Sequence, residues 1–141
     1  MQYSQKKLCT DKEEVNLSRI NTGKKGERLA QSFLRKEGYT IIERNYKTKA
    51  GEIDLIGKNK NFIAFIEVRS QNTKRFGLPE YSIDRKKQDR LSKAALLYIK
   101  KHRLEDRDCR FDIVGIEETD SGSPKIRLIK NAFDLDTRYR Y

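Results

Sequence analysis

The sequence predicts an α/β fold: a mixed central sheet flanked by helices, in the order α-β-β-β-α-β. Three observations predict it. Apolar residues recur at helical spacing in two stretches, at Leu29, Ala30, Phe33 and Leu34 and again at Leu91, Ala94, Ala95 and Tyr98. Between them lie consecutive runs rich in β-branched and aromatic residues, separated by turn chemistry, the pattern of sequential antiparallel strands. After the second helical stretch, residues 110–116 (RFDIVGI) are apolar on both faces, as a buried strand is. A helical crossover into that strand favours parallel pairing with residues 62–69.

With 141 residues the chain fits one domain around one core, expected over residues 21–134. Residues 1–20 mix Lys, Glu, Gln and Ser without sustained periodicity and are expected to form a flexible arm, with at most a short helical turn near residues 15–17. Thr22 is the expected N-cap of the first helix, and Gly38 lies where a C-terminal glycine belongs. Residues 39–47 read as a strand, joined through a turn at 48–51 to a hairpin. Residues 70–79 are a polar connection; Pro79 helps bar a helix before Ser82, the expected cap of the second helix. His102 stands near that helix's end, where the dipole favours a cation. Asp112 is expected to pair structurally with Arg110. Residues 120–124 form a turn, 125–130 a last strand, and 135–141 a basic and aromatic tail whose Arg138-Tyr139-Arg140-Tyr141 can stack on bases or simply fray.

Composition removes several function classes. The net charge of +11 and pI near 9.7 favour polyanionic partners such as nucleic acid. No apolar run approaches the ~20 residues of a membrane helix and no secretory apolar segment is present, so the expected location is the cytoplasm, with no membrane partner. Cys9 and Cys109 are far apart and the single His is too few for a zinc site of His and Cys ligands, so any metal would be a hard cation on oxygen ligands. The chain carries no phosphate-binding glycine-rich loop and no Ser/His/Asp or Cys/His set.

The chemistry concentrates in residues 51–69, GEIDLIGKNKNFIAFIEVR. With Asn59 and Lys60 as the hairpin loop, Asp54 stands opposite Phe65 and Glu52 opposite Glu67. Glu52, Asp54, Phe65, Glu67 and Arg69 then share a face, with Asp54 and Glu67 as diagonal neighbours. Ile56, Ile63 and Phe65 interleave these acids, and the other face is apolar, so the pair is expected to be largely buried. Carboxylates crowded in such a place are stabilised by a proton, a salt bridge or a bound cation; a metal site and an ion-paired structural cluster both fit. Glu27, in the first turns of its helix, flanks the inward stripe, and as an acid there it also suits ordinary helix-dipole chemistry.

A second concentration is positive. Between Ser70 and Arg103 ten basic residues face three acidic ones, leaving +7 of the net +11 in this segment. Lys74, Arg75, Arg85, Lys86, Lys87 and Arg90 crowd the approach to the second helix and its first turns. This is either a solvated face or a surface that tracks phosphates. Lys87 lies four residues before Leu91 on the inward stripe, while Lys86 is turned away.

Asp54 followed by Glu67-Val68-Arg69 resembles the acid and the Glu-X-Lys element of the PD-(D/E)XK, or restriction-endonuclease-like, nuclease superfamily. More narrowly, GEIDLI and FIEVR, with RFDIV and IKNAF downstream, are similar to the uncharacterised bacterial YraN family, over residues 23–133. The resemblance implies a restriction-endonuclease-like core and phosphodiester hydrolysis, with structured or branched DNA among the substrates. Its alternative is a non-catalytic DNA- or RNA-binding module that keeps the fold. It implies Mg²⁺ or Mn²⁺ held by Asp54, Glu67, the Val68 carbonyl and Glu27, which matches a metal-associated Glu of several relatives. Catalytic roles fall to Asp54, Glu67, and Arg69 or Lys87, with DNA favoured over RNA and a homodimer among the arrangements that junction-resolving relatives adopt. Arg69 departs from the Lys usual in that pattern; an arginine stays protonated, so it can clamp a phosphate but not serve as a base.

Overall fold

The structure, a computed structural model, describes residues 11–72 and 77–135, with side chains from Lys24 onward apart from Asn72. Two helices and five strands follow in the order α1 (Asp11–Lys36), β1 (Thr40–Thr48), β2 (Gly51–Asn59), β3 (Phe62–Asn72), α2 (Arg85–Lys101), β4 (Asp108–Glu118) and β5 (Lys125–Phe133). The sheet order is β1-β2-β3-β4-β5, with β3 and β4 parallel and the other neighbours antiparallel. The mixed sheet and the parallel β3–β4 pair are as the sequence predicts. The last strand runs to Phe133, three residues beyond the expected end.

The sheet is buried on both faces. Ala30 and Leu34 of α1 pack with Leu55, Ala64, Ile66, Val114 and Ile116 on one side. Leu91, Ala94, Ala95 and Tyr98 of α2 pack with Ile56, Ile63, Phe65 and Phe111 on the other. Burying two full apolar faces is what allows β3 and β4 to be near-continuous hydrophobic runs. Gly38 ends α1 with a φ of +91°, the left-handed conformation that a helix stop requires and glycine adopts without strain.

Four local expectations are corrected. Thr22 does not cap α1, which begins at Asp11; residues 11–20 contain no Gly or Pro, and once the packed turns are nucleated, extending a helix backward is cheap. Ser82 does not cap α2 either. It closes a 3-10 turn at Pro79–Ser82 by donating to the Pro79 carbonyl at 2.6 Å, and Asp84 is the cap, accepting from the Lys87 N–H at 2.9 Å. Pro79, expected to bar a helix, instead opens this turn, a position where its missing N–H costs nothing. Finally, the β2–β3 loop is Lys60-Asn61 rather than Asn59-Lys60, with Lys60 at a φ of +55°. Asn59 is drawn into the ladder because its buried side chain accepts from Arg110 Nη2 at 3.1 Å. The loop keeps its even length, so the faces survive while the register moves by two.

Asp112 is structural, as expected. It is 1% exposed, takes both Arg110 nitrogens at 2.8 and 2.9 Å, and accepts further bonds from the Tyr39 hydroxyl and the Asn131 N–H. His102 packs against the Tyr98 ring at a tilt of 37° at the end of α2. Lys74, Arg75, residues 1–10 and the Arg138–Tyr141 tail lie outside the described residues.

Candidate active site

β2 and β3 pair from Asn59↔Phe62 to Leu55↔Ile66 and then part. Beyond that point β2 pairs with β1, while β3 continues against β4. The next residues on the two strands are Asp54 and Glu67. The corrected register therefore sets them directly across from one another at the root of a fork, closer than the diagonal pair the sequence predicts. Ile53 and Ile56 both join the α2-side core while Leu55 joins the α1 side, so strict alternation breaks at Asp54. Its carboxylate turns across the fork, and Oδ2 accepts from the Val68 N–H at 2.9 Å.

The electrostatics of the pair are those of crowded, dehydrated acids. Glu67 is 4% exposed, and burial, followed by the Asp54 charge, pushes its carboxyl up to about 7 against the opposing effect of Lys87 and Arg69. Burial raises Asp54 as well, although the Val68 N–H holds its ionised form. Glu67 Oε1 faces Lys87 Nζ at 3.4 Å and Arg69 Nε at 3.5 Å, whereas its Oε2 is buried without a partner.

Four elements thus meet here. Lys87 is delivered by the first turn of α2, whose helix is started by the Asp84 cap; Arg69 follows Glu67 by two on β3. Glu27 approaches from α1, where Gly26 allows close contact: a Cβ on it would lie 2.6 Å from Ser70 Oγ of β3. The Glu27 carboxyl is hydrogen-bonded to the Asn45 side chain and is raised first by burial, then by the charges of Asp54 and Glu52. Lys86 and Arg90 are exposed on α2 beside this group, and Arg85 pairs with Asp89 at 3.5 Å.

Of the residues the sequence singles out, Glu27, Asp54, Glu67, Arg69 and Lys87 come together. Glu52, expected on the same face, is exposed and reaches the group only through its charge. Asn45 escapes sequence reasoning. It lies in β1 two residues past the bulge at Ile41–Glu43, at a φ of +51°, and Asn in a strand pattern is the signal that could have marked it, since Asn tolerates that conformation better than most residues. Glu80 and Arg127 also escape it: Arg127 grips the Glu80 carboxylate through Nε at 2.6 Å and Nη2 at 3.0 Å, and Nη1 reaches Glu117 at 3.0 Å. Glu80 rests on Gly115, the β4 partner of Arg69, where a Cβ would come 2.6 Å from Oε1.

Among the described residues no three His, Cys, Asp or Glu side chains form a ready-made metal cluster, and Glu27 is held by Asn45. The donor set nevertheless suits a hard cation: two carboxylates at one point, one with a buried oxygen that lacks any donor. Among the described residues, too, no helix is long and apolar enough to cross a membrane.

The order α-β-β-β-α-β, with paired acids where the second and third strands diverge, defines a restriction-endonuclease-like core, extended here by β5. Residues 26–116 match the model of "Uncharacterised protein family UPF0102", and the chain belongs to that family. It is 45% identical over 114 residues to a UPF0102 protein of Desulfosudis oleivorans, covering 81% of this chain and 90% of the relative. It is 44% identical over 117 residues to one of Thermodesulfovibrio yellowstonii (83% and 99%) and 43% identical over 114 residues to one of Persephonella marina (81% and 94%).

Proposed function

We propose that this protein hydrolyses phosphodiester bonds in nucleic acid with the help of Mg²⁺ or Mn²⁺, DNA being favoured over RNA. The observation that carries the reading is the Asp54–Glu67 pair at the fork, with a buried, unpartnered oxygen on Glu67 and two cations on its other side. Asp54, Glu67 and the Val68 carbonyl are the groups that would hold the cation. When bound, it would supply activation of water and neutralisation of charge on the scissile phosphate. Arg69 offers a permanent positive fork to a non-bridging phosphate oxygen. Lys87 favours the ionised form of Glu67 against burial and is the lysine that reaches the acids. Glu27, bonded to Asn45, adds negative charge on the α1 side of the same point. The exposed Lys86 and Arg90 extend positive charge away from the acids along α2, where a polyanion's flanking phosphates would lie.

The test is thermal and catalytic. Mg²⁺ or Mn²⁺ should raise the melting temperature of the wild type and support cleavage of DNA, and Asp54→Asn should lose both. A second reading has its own support: Lys87 and Arg69 already balance Glu67, as in a non-catalytic DNA- or RNA-binding module that keeps its acids for structure. Nucleic-acid binding with no cation-induced shift in the wild type would favour that module.

A further inference from the structure

We propose that Tyr81 stacks on an unpaired nucleobase, so that the substrate of this site is single-stranded nucleic acid or a structure carrying unpaired bases next to the scissile phosphate. The proposal rests on the phosphodiester reading of the fork. Tyr81 is 79% exposed, well above Ile42 at 45% and Leu78 at 37%, the other exposed large hydrophobic side chains among the described residues. A lone exposed aromatic is ordinary. Tyr81 differs in how it is held and where.

The 3-10 turn that bears it is pinned from within. Pro79 and Glu80 on its near side are buried, and the Glu80 carboxylate is clamped by the bidentate Arg127 while resting on Gly115. The Ser82 hydroxyl closes the turn on Pro79. The turn thus carries an exposed aromatic ring next to a buried, clamped carboxylate, so the ring is presented without a loop to order on binding. Rigid aromatics with few rotatable bonds are the cheapest contact surface a protein can offer.

Position supplies the second argument. Gly115, beneath Glu80, is the sheet neighbour of Arg69, and Lys87 follows Tyr81 by six residues, within at most about 20 Å along the chain. Tyr81, next in the chain to Glu80, is thus carried on the turn that packs against the backbone beside the proposed phosphate clamp. Leu78, which precedes the same turn, is also exposed, and Lys86 and Arg90 are exposed on α2, the next element of the chain. Aromatic faces alternating with cations are how proteins hold single strands: the charge tracks the phosphates and each ring takes a base face. A duplex hides those faces in its own stack, so the ring discriminates for unpaired bases.

The chain has no Trp, so Tyr81→Trp in the full-length protein carrying Asp54→Asn gives a single fluorescent reporter that needs neither metal nor cleavage. Titration with an oligothymidylate at low salt should quench it, and duplex DNA of equal length should not. Tyr81→Ala should weaken oligothymidylate binding about five- to 150-fold, the range of one lost base–aromatic stack, and Tyr81→Phe should restore it. Duplex affinity should change less than about twofold. Oligothymidylate binding untouched by Tyr81→Ala, or single-strand and duplex affinity weakened alike, overturns the stacking role and leaves the phosphodiester reading standing. Absence of any nucleic-acid binding by the wild type overturns both.

Discussion

Lys87, on the first turn of α2, places its ammonium 3.4 Å from Oε1 of Glu67 on β3. The contact joins a helix to a strand across the edge of the core and depends on the Asp84 cap, whose carboxylate takes the Lys87 N–H. Removing Lys87 should therefore alter the acids as well as the cleavage chemistry. Lys87→Ala should raise the apparent pKa of the acid pair and lower cleavage well below Lys86→Ala, whose side chain points to solvent. Equal small losses at both positions, in an assay where the wild type cuts, would remove Lys87 from the mechanism.

Arg69 separates fixed charge from geometry. Arg69→Lys should keep part of the activity, because an ammonium still neutralises a phosphate but lacks the planar fork. Arg69→Ala should lose several kcal/mol of transition-state stabilisation. Single-turnover rates of the two variants decide the point, and indistinguishable rates would mean that Arg69 only balances Glu67.

The acid pair makes stability depend on pH in a defined direction. The folded state raises Glu67 from an ordinary value of 4.5 to about 7, so between these values folded protein binds more protons than unfolded protein. Stability must then fall as pH rises through this window. Metal-free wild type should melt at a lower temperature at pH 8 than at pH 5 relative to Glu67→Gln, which lacks the titrating group. Saturating Mn²⁺ should flatten the slope, because the cation competes with the proton for the same oxygens. A wild-type profile parallel to that of Glu67→Gln would argue against the shared burial of the pair.

Metal binding has a magnitude attached. At free Mn²⁺ roughly 100 times its Kd, a site present only in the folded state adds about 2.7 kcal/mol of stability. Asp54→Asn and Glu67→Gln should abolish that gain while leaving nucleic-acid affinity unchanged or tighter, since each removes a negative charge facing a polyanion. Both variants can be checked by thermal melts and by gel shift on the same preparations.

The Glu80–Arg127 pair is a stability element placed beside the chemistry. Arg127 holds the Glu80 carboxyl below the usual carboxylate range, and only Arg127 is partly exposed. Arg127→Ala should cost about 3 kcal/mol, the low end for stranding one member of a buried ion pair. Gly115→Ala should destabilise through the same contact, because its Cβ would displace Glu80. In chemical denaturation the double variant should lose less than the sum of the singles.

Much of this architecture is legible in the sequence because periodicity reports burial directly. The helix stripe at Leu91, Ala94, Ala95 and Tyr98 and the two-sided apolar run at Phe111–Ile116 each need a specific partner layer, and the layers follow. The meeting of Asp54 with Glu67 was legible for a weaker reason: side chains alternate along strands, and the loop centre fixes parity even when it misplaces the register. The register itself was not legible, because it turns on Asn59 being claimed by Arg110, a contact made across the sheet. Asn45 on Glu27 and Glu80 on Arg127 were hidden for the same reason, being pairs distant in sequence that local pattern cannot join. The caps at Thr22 and Ser82 failed because a good cap residue is only an option, and the neighbouring turns took another.

β3 is laced to β4 by eleven consecutive pairs, from Phe62↔Asp108 to Asn72↔Glu118, whereas past Leu55 the described pairing of β2 is with β1 alone, itself an edge strand. One carboxylate of the pair therefore rides on a strand laced along its whole length to the sheet centre, and the other on a strand held there by a single ladder and by Ile53 in the core, with the Asp54–Val68 bond crossing the gap. The spacing between the acids is consequently guarded unequally from its two sides, and amides at Gly51–Glu52 should exchange with solvent faster than those at Glu67–Arg69.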